Sequence, residues 1–145
     1  TFQNASDSKF DPRFLSLEGS KDVVNKIVTG VFGYFIPEAT SVLFVNGNIE
    51  GVAFVAVPTM TLANIPLIGI TKPHRKKELG KYMLKSCLNG IIEQIKNKKI
   101  FVNEVNAAVE TDNFPALKMY RRIGFREEMT YPHAYLKNPN YRDAD

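Results

Sequence analysis

Apolar residues recur at helical spacing in three segments of the chain. A first helix is predicted from Ser20, a good N-capping residue, to Pro37, and a second from about Leu79 to Asn97. Their apolar positions lie three or four residues apart, which places them on one helix face. These positions are Val23, Val24, Ile27, Val28, Val31, Phe32 and Phe35 in the first helix and Leu79, Tyr82, Met83, Cys87, Leu88, Ile91, Ile92 and Ile95 in the second. A third, shorter helix is predicted over residues 113–123.

Runs of β-branched and other apolar residues predict strands between these helices. The predicted strands cover residues 41–45, 48–57, 65–71, 99–109 and 125–136, the last interrupted by Pro132. Asn46-Gly47 joins the first two strands and is the strongest short-range signal for a type I′ hairpin. Residues 58–64 are predicted to be a connection, and Pro66 is expected near the start of its strand or at a sheet edge. The alternation of strands and helices indicates a mixed α/β (α+β) fold with helices on the faces of a sheet.

Length and cysteine content narrow the class of protein. With 145 residues and 44% hydrophobic content, residues 1–145 are expected to form a single domain with one core, in which the polar segment 1–19 is poorly defined. The single cysteine, Cys87, excludes a disulfide framework or a cysteine-rich metal site, and it favours a reducing, cytoplasmic setting. Within an apolar helical pattern it is more readily a buried structural thiol than a reactive one. No apolar run approaches the ~20 residues of a membrane span, so no membrane association is expected.

The net charge of +4 suits a polyanionic partner, either nucleic acid or a phosphorylated cofactor. The positive charge gathers at residues 74–81, 96–99 and 118–126, at the ends of the predicted helices or on short segments. An arginine-rich tail and the interleaved aromatic residues of an RNA-binding surface are missing from the sequence. Nucleic acid is therefore the less favoured partner.

One of these basic groups stands between a predicted strand and a helix. A strand, a basic loop and a helix with Gly80 in its first turn would aim free backbone N–H groups and positive charge at a phosphate. It is not a nucleotide P-loop, because Arg75 stands where that motif needs glycine and Tyr82 where it needs serine or threonine. The alternative is a solvated basic turn without a ligand.

Residues 70–81, followed by residues 113–125, resemble two motifs of the GCN5-related N-acetyltransferases (GNATs): the acetyl-CoA loop and the C-terminal helix. The resemblance runs from about residue 41 to residue 136. The loop pattern of the family, Arg/Gln-x-x-Gly-x-Gly/Ala, falls on residues 75–80, with Glu78 in place of the first glycine. The resemblance implies a GNAT-like, mostly antiparallel sheet of six to seven strands flanked by helices. It also implies acetyl-CoA as cosubstrate, without a metal.

The resemblance also implies which residues bind acetyl-CoA. In the family, main-chain groups of the strand before the loop pair with the pantetheine arm, and the loop holds the phosphates. The implied cofactor-binding residues are Ile68, Gly69, Ile70, Arg75, Lys76, Lys77, Glu78, Leu79, Gly80, Lys81, Asn113 and Ala116. For Asn113, a role as helix cap alone is an equally good interpretation.

Acyl transfer from a thioester to an amine needs a proton donor for the thiolate and a proton acceptor for the amine. Tyr120 corresponds to the tyrosine that many family members place near the CoA sulfur as general acid, and the alternative is a packed core aromatic. Glu104, in an otherwise apolar predicted strand, is the candidate base, and the alternative is a charge at the end of the strand that pairs with a lysine. Glu110, His133 and ordered water are further candidates for the base.

The resemblance implies an N-acetyltransferase that moves an acetyl group directly to a primary amine of a small molecule, peptide or protein. The alternatives are a non-catalytic CoA-binding or regulatory module on the same fold, and a nucleic-acid-binding module suggested by charge alone. A homodimer is compatible with each of these interpretations.

Overall fold

The computed structural model describes residues 17–75 and 78–128. The helices are α1 (Leu17–Val28), α2 (Leu79–Lys96) and α3 (Phe114–Ile123), and the strands are β1 (Tyr34–Phe35), β2 (Ser41–Val45), β3 (Asn48–Thr59), β4 (Leu62–Ile70) and β5 (Glu104–Ala107). Short 3-10 turns cover Pro37–Ala39 and Lys72–His74. Lys76, Lys77 and His133 lie outside the described residues, as does most of the strand predicted over 125–136.

The described strands form one mixed sheet. Strand β3 pairs antiparallel with β1, β2 and β4, and β4 pairs parallel with β5 on its other side. This confirms the predicted fold class of a mostly antiparallel mixed sheet flanked by helices. The described part of the chain contains five of the six to seven strands expected.

The hairpin between β2 and β3 forms as its sequence predicts. Asn46 and Gly47 both have positive φ, 51° and 82°, as a type I′ turn requires, and Val45 lies opposite Asn48. The connection predicted over residues 58–64 is wrong, because β3 continues to Thr59 and β4 begins at Leu62. Pro58 and Asn64, which suggested a loop, stand instead in the two strands.

The first helix is shorter at its C-terminal end than its apolar pattern predicts. It ends at Val28, and Gly30 and Gly33 follow with φ of 88° and 116°, values that a helix cannot contain. A Cβ atom on Gly33 would lie 2.5 Å from the backbone nitrogen of Pro58, so this glycine also allows the chain to approach β3 closely. At the other end Ser20 is not the N-cap, since it lies buried within α1.

Two layers of apolar side chains cover the two faces of the sheet. On one face, side chains of α2 and Tyr120 of α3 pack with Ala53 and Val55 of β3. On the other face, Val23 and Ile27 of α1 pack with the β3 residues whose side chains point to that side of the sheet. The sheet thus has α2 and α3 on one side and α1 on the other.

Strand β4 contains a bulge at Pro66. Phe54 lies opposite Leu67 but Ala56 lies opposite Asn64, so one residue of β3 faces two residues of β4. The side chains record the same shift, because Ala63 and Ile65 pack on the α2 face whereas Leu67 packs on the α1 face. Pro66 is therefore not at the start of β4 but at an irregularity, where a missing N–H is tolerated. It directly follows Ile65, the last residue of β4 that pairs with β5, so within the described residues it lies at an unpaired edge, the second of the two predicted positions.

Candidate functional site

Among the described residues, strand β4 has an open edge beyond its bulge. Its parallel pairing with β5 runs from Leu62 opposite Glu104 to Ile65 opposite Ala107, where β5 ends. Residues 66–70 continue along β3, and within the described residues no strand pairs with their other edge. The strand predicted over 99–109 is thus shorter than expected and covers only Glu104–Ala107. Main-chain groups of β4 after Ile65 face the opening that is left beside them.

The hydrogen-bond pattern shows which main-chain groups face that opening. The Thr71 N–H donates to the Glu50 carbonyl of β3 at 2.8 Å, and alternate residues of an antiparallel strand point the same way. Gly69 therefore faces β3, opposite Val52, whereas Ile68 and Ile70 point their N–H and C=O groups away from β3. Three residues are implied to contact pantetheine through the main chain. The main-chain groups of Ile68 and Ile70 point toward the opening, whereas those of Gly69 point toward β3.

The basic loop follows directly and leads into α2. After the 3-10 turn, Arg75 turns back and donates from Nε to the Ile70 carbonyl oxygen at 3.3 Å. The N-terminus of α2 has no side-chain cap at Glu78. The first N–H groups of a helix lack intrahelical partners, so those of Leu79, Gly80 and Lys81 can bind an anion.

Glu78 stands where the loop pattern of the family has its first glycine, and it adopts a backbone conformation that usually favours glycine. Its φ of 57° and ψ of 13° are left-handed, a conformation that costs a residue with a Cβ about 1 kcal/mol or more. Its side chain is exposed. The substitution therefore preserves the turn, and the carboxylate is in contact with solvent.

Gly80 brings three elements together at this end of the sheet. A Cβ atom on Gly80 would lie 3.0 Å from Met119 Sδ of α3 and 3.6 Å from Ile70 Cδ1 of β4. The start of α2, the end of β4 and α3 therefore meet where the open edge and the basic loop adjoin. Both predicted motifs thus lie at one end of the sheet.

Helix α3 begins and ends as predicted. Asn113 is buried and its Oδ1 accepts a hydrogen bond from the Ala116 N–H at 3.4 Å, which confirms it as the N-cap. Gly124, with φ of 114°, closes the helix. Tyr120, one turn after Ala116, is buried in the core and meets Phe125 edge-on at 5.1 Å between ring centroids. The roles of Asn113, Ala116 and Tyr120 toward a ligand remain predictions.

Glu104 does not have the buried environment expected for it. It is exposed, and as the first residue of β5 it lies opposite Leu62, at the end of the paired segment away from the opening. Glu104 was predicted to lie inside an apolar strand, but it lies at the N-terminal end of β5. The assignment of Glu104 as base is a prediction that its surroundings do not favour. Glu110, the alternative, is half-buried and its carbonyl accepts from the Asn113 N–H.

Two polar groups near the opening did not emerge from the sequence. Asn64 of β4 donates from Nδ2 to Asn106 Oδ1 of β5 at 2.6 Å, just before the strands part. The Glu50 carboxylate of β3 accepts from the Thr71 hydroxyl and lies 3.9 Å from His74 Nε2. In the sequence, Glu50 could have been singled out by its position directly before the apolar residues of β3.

The described residues show neither a metal-binding cluster nor a membrane-spanning helix. Within residues 17–75 and 78–128, no group of three or more His, Cys, Asp or Glu side chains is arranged to hold a metal ion. None of the helices in these ranges combines the length and apolarity needed to cross a bilayer.

Comparison with solved structures finds the same fold in acetyltransferases. Ard1 from Thermoplasma volcanium is 26% identical, with a TM-score of 0.56 over 64% of this chain and 59% of that one. A GNAT family acetyltransferase from Elizabethkingia anophelis, with acetyl-CoA bound, is 18% identical, with a TM-score of 0.59 over 81% and 74% of the two chains. Arabidopsis thaliana Naa50, in complex with the bisubstrate analogue CoA-Ac-MVNAL, is 21% identical, with a TM-score of 0.55 over 71% and 67%. No family model and no curated protein sequence matches the chain.

Proposed function

Because the chain has the fold of the GCN5-related N-acetyltransferases, we propose that it transfers an acetyl group from acetyl-CoA to a primary amine. The observation that carries the proposal is the open edge of β4 at Ile68 and Ile70, adjoining the uncapped N-terminus of α2. The edge offers hydrogen bonds to an extended chain with amide groups, and the helix start offers them to phosphates. Acetyl-CoA has both parts in this order.

In this proposal each part of the cosubstrate has its own residues. The N–H and C=O groups of Ile68 and the N–H group of Ile70 bind the amides of the pantetheine arm, while the Ile70 carbonyl retains its hydrogen bond from Arg75 Nε. The N–H groups of Leu79, Gly80 and Lys81 bind the pyrophosphate, and side chains of the basic loop neutralise its charge. These side chains are Arg75, Lys76, Lys77 and Lys81. Asn113 and Ala116 line the path of the arm at the start of α3.

The reaction is a direct transfer without an acyl-enzyme. The neutral amine nitrogen attacks the thioester carbonyl carbon, a C–N bond forms, and the C–S bond then breaks. The departing thiolate takes the proton of the Tyr120 hydroxyl, and the amine proton leaves to water. Water then returns a proton to the Tyr120 phenolate, which restores the hydroxyl for the next turnover. The exposed position of Glu104 lets it take up this proton only after it has passed through water. The products are the N-acetylated amine and CoA.

The acceptor is a primary amine of a small molecule, peptide or protein. The bisubstrate analogue bound to Naa50 joins CoA to a peptide, and this supports a peptide α-amine as the first acceptor to test. The exposure of Glu104 favours a second candidate function, a CoA-binding module that does not turn over. The two candidates differ in product formation and share the binding site.

The test is release of free CoA thiol from acetyl-CoA in the presence of a panel of peptide and small-molecule amines. Formation of the acetylated amine, measured by mass spectrometry, supports the transferase. Stabilisation by desulfo-CoA without turnover of any amine supports the binding module. Absence of both binding and turnover at millimolar ligand contradicts both candidates.

A further inference from the structure

Glu50 of β3 is tied to the segment that starts the basic loop. Its carboxylate accepts a hydrogen bond from the hydroxyl of Thr71, which is buried, and Oε2 lies 3.9 Å from Nε2 of His74. The side chains of His74 and Glu50 are themselves mostly buried, with 19% and 23% of their surface exposed. A carboxylate in such a position needs partners, and these two provide them.

The main chain reinforces the same connection. The Thr71 N–H donates to the Glu50 carbonyl at 2.8 Å, so Glu50 holds Thr71 through both its main chain and its side chain. The His74 N–H then donates to the Thr71 carbonyl at 3.0 Å, closing the 3-10 turn that leads to Arg75. The shape of the loop entrance therefore depends on contacts that converge on Glu50.

This arrangement has a consequence for anion binding. A carboxylate beside a phosphate site repels the ligand unless its charge is satisfied by other groups. Here one carboxylate oxygen, Oε2, accepts from the Thr71 hydroxyl and also lies nearest to the His74 ring, and both partners belong to the first residues of the loop. The charge of Glu50 thus orders the loop entrance, and Arg75 follows immediately.

We propose that Glu50 is a positioning residue that, through Thr71 and His74, sets the phosphate loop for the nucleotide half of acetyl-CoA. The inference rests on the proposed function of the site. It assigns no contact between Glu50 and the ligand. It requires that loss of the carboxylate weaken the binding of the phosphate-bearing half and leave the reacting thioester end unchanged.

The experiment compares two thioesters with the purified full chain. Acetyl-CoA has the phosphates, whereas S-acetylpantetheine has the same reacting end without them. For Glu50→Ala and Thr71→Val we expect the KM for acetyl-CoA and the Kd for CoA to rise about 10-fold, with kcat changed less than about 2-fold. The kcat/KM for S-acetylpantetheine should stay within about 2-fold of the parent.

Two variants serve as controls. Thr71→Ser retains the hydroxyl and should restore the parent KM, which separates the hydrogen bond from the packing of the side chain. Glu93→Gln removes an exposed carboxylate of α2 far along the helix and should change neither constant. Melting temperatures identify any variant that is unfolded at the assay temperature. If Glu50→Ala is unfolded, the comparison of Thr71→Val with Thr71→Ser decides whether the hydrogen bond positions the loop.

The outcomes are distinguishable. Equal losses on both thioesters, or an unchanged Kd for CoA in Glu50→Ala and Thr71→Val, overturn the positioning role while leaving the transferase intact. A parent protein that binds CoA without turnover overturns the transferase alone, and the Kd values for CoA still decide the role of Glu50. A parent that binds no CoA overturns both.

Discussion

Arg75 donates a hydrogen bond from Nε to the carbonyl oxygen of Ile70, at 3.3 Å. This contact joins the basic loop to the last residue of the strand whose outer edge is open. It holds the guanidinium at the end of β4, where a Cβ atom on Gly80 of α2 would lie 3.6 Å from Ile70 Cδ1. The strand edge and the loop therefore form one continuous surface, which is the basis for assigning the two parts of acetyl-CoA to it.

Arg75→Ala should weaken CoA binding about 10-fold or more, because it removes a charged contact to phosphate together with the tie to Ile70. Arg75→Gln keeps a donor that can reach the Ile70 carbonyl, and should lose less affinity than the alanine variant. Calorimetric titration with CoA at two salt concentrations measures both effects, since screening lowers the affinity of the parent more than that of the variants.

Lys85→Ala, an exposed cation on α2, is the matched control and should leave the affinity unchanged. Adding Lys77→Ala to Arg75→Ala should lower the affinity further. If the double variant binds CoA as tightly as the parent does, the basic loop is not the phosphate site.

Glu78 provides a separate test of backbone strain and charge. Glu78→Gly should raise the free energy of unfolding relative to Glu78→Ala by about 1 kcal/mol, because both remove the carboxylate and only glycine relieves the left-handed strain. Chemical denaturation of the two variants measures the difference. CoA affinity should be unchanged or improved in both, and a marked loss would show that the glutamate itself assists binding.

The elements that the sequence predicted well are those fixed by local chemistry. The Asn46-Gly47 turn, the cap at Asn113 and the extent of α2 each depend on a few neighbouring residues, and each forms as expected. The family resemblance likewise depends on local patterns around Gly80 and Gly124. The class of fold was therefore within reach of the sequence, and so was the choice of the two segments that meet at Gly80.

What the sequence could not provide depends on partners distant along the chain. The bulge at Pro66 is visible only in the register of β4 against β3, and the exposure of Glu104 follows from where β5 stops pairing. Glu50 gains its partners from the loop that follows the next strand, about 20 residues later along the chain. Local patterns contain no information about such pairings.

Cys87 should react slowly with thiol reagents in the native protein. Burial raises the pKa of its thiol, and the Ser41 hydrogen bond offsets this only in part, so little thiolate is present at neutral pH. Because the pKa of this thiol is higher in the folded state than in the unfolded state, its contribution to stability is fully present below the unfolded-state pKa of about 9. The contribution is lost as the pH rises above that value. Denaturation at pH 7 and pH 10 measures the loss, which should be smaller in Cys87→Ala.

Glu104→Gln should lower kcat by less than about 3-fold, because an exposed carboxylate exchanges protons with bulk water and can be replaced by it. Steady-state kinetics at saturating acetyl-CoA give the value. A fall of about 100-fold or more, with unchanged CoA affinity, would instead identify Glu104 as a base that comes close to the amine during the reaction.

Tyr120 is the residue at which a transferase and a binding module differ most. If its hydroxyl protonates the departing thiolate, Tyr120→Phe removes the proton while retaining the ring that packs against Phe125. We then expect kcat to fall about 10- to 1000-fold with little change in the Kd for acetyl-CoA. Tyr82→Phe, at an exposed position on α2, is the control and should behave as the parent. A parallel loss of melting temperature and activity would make the hydroxyl structural. An unchanged kcat would leave water or a main-chain group as the proton donor.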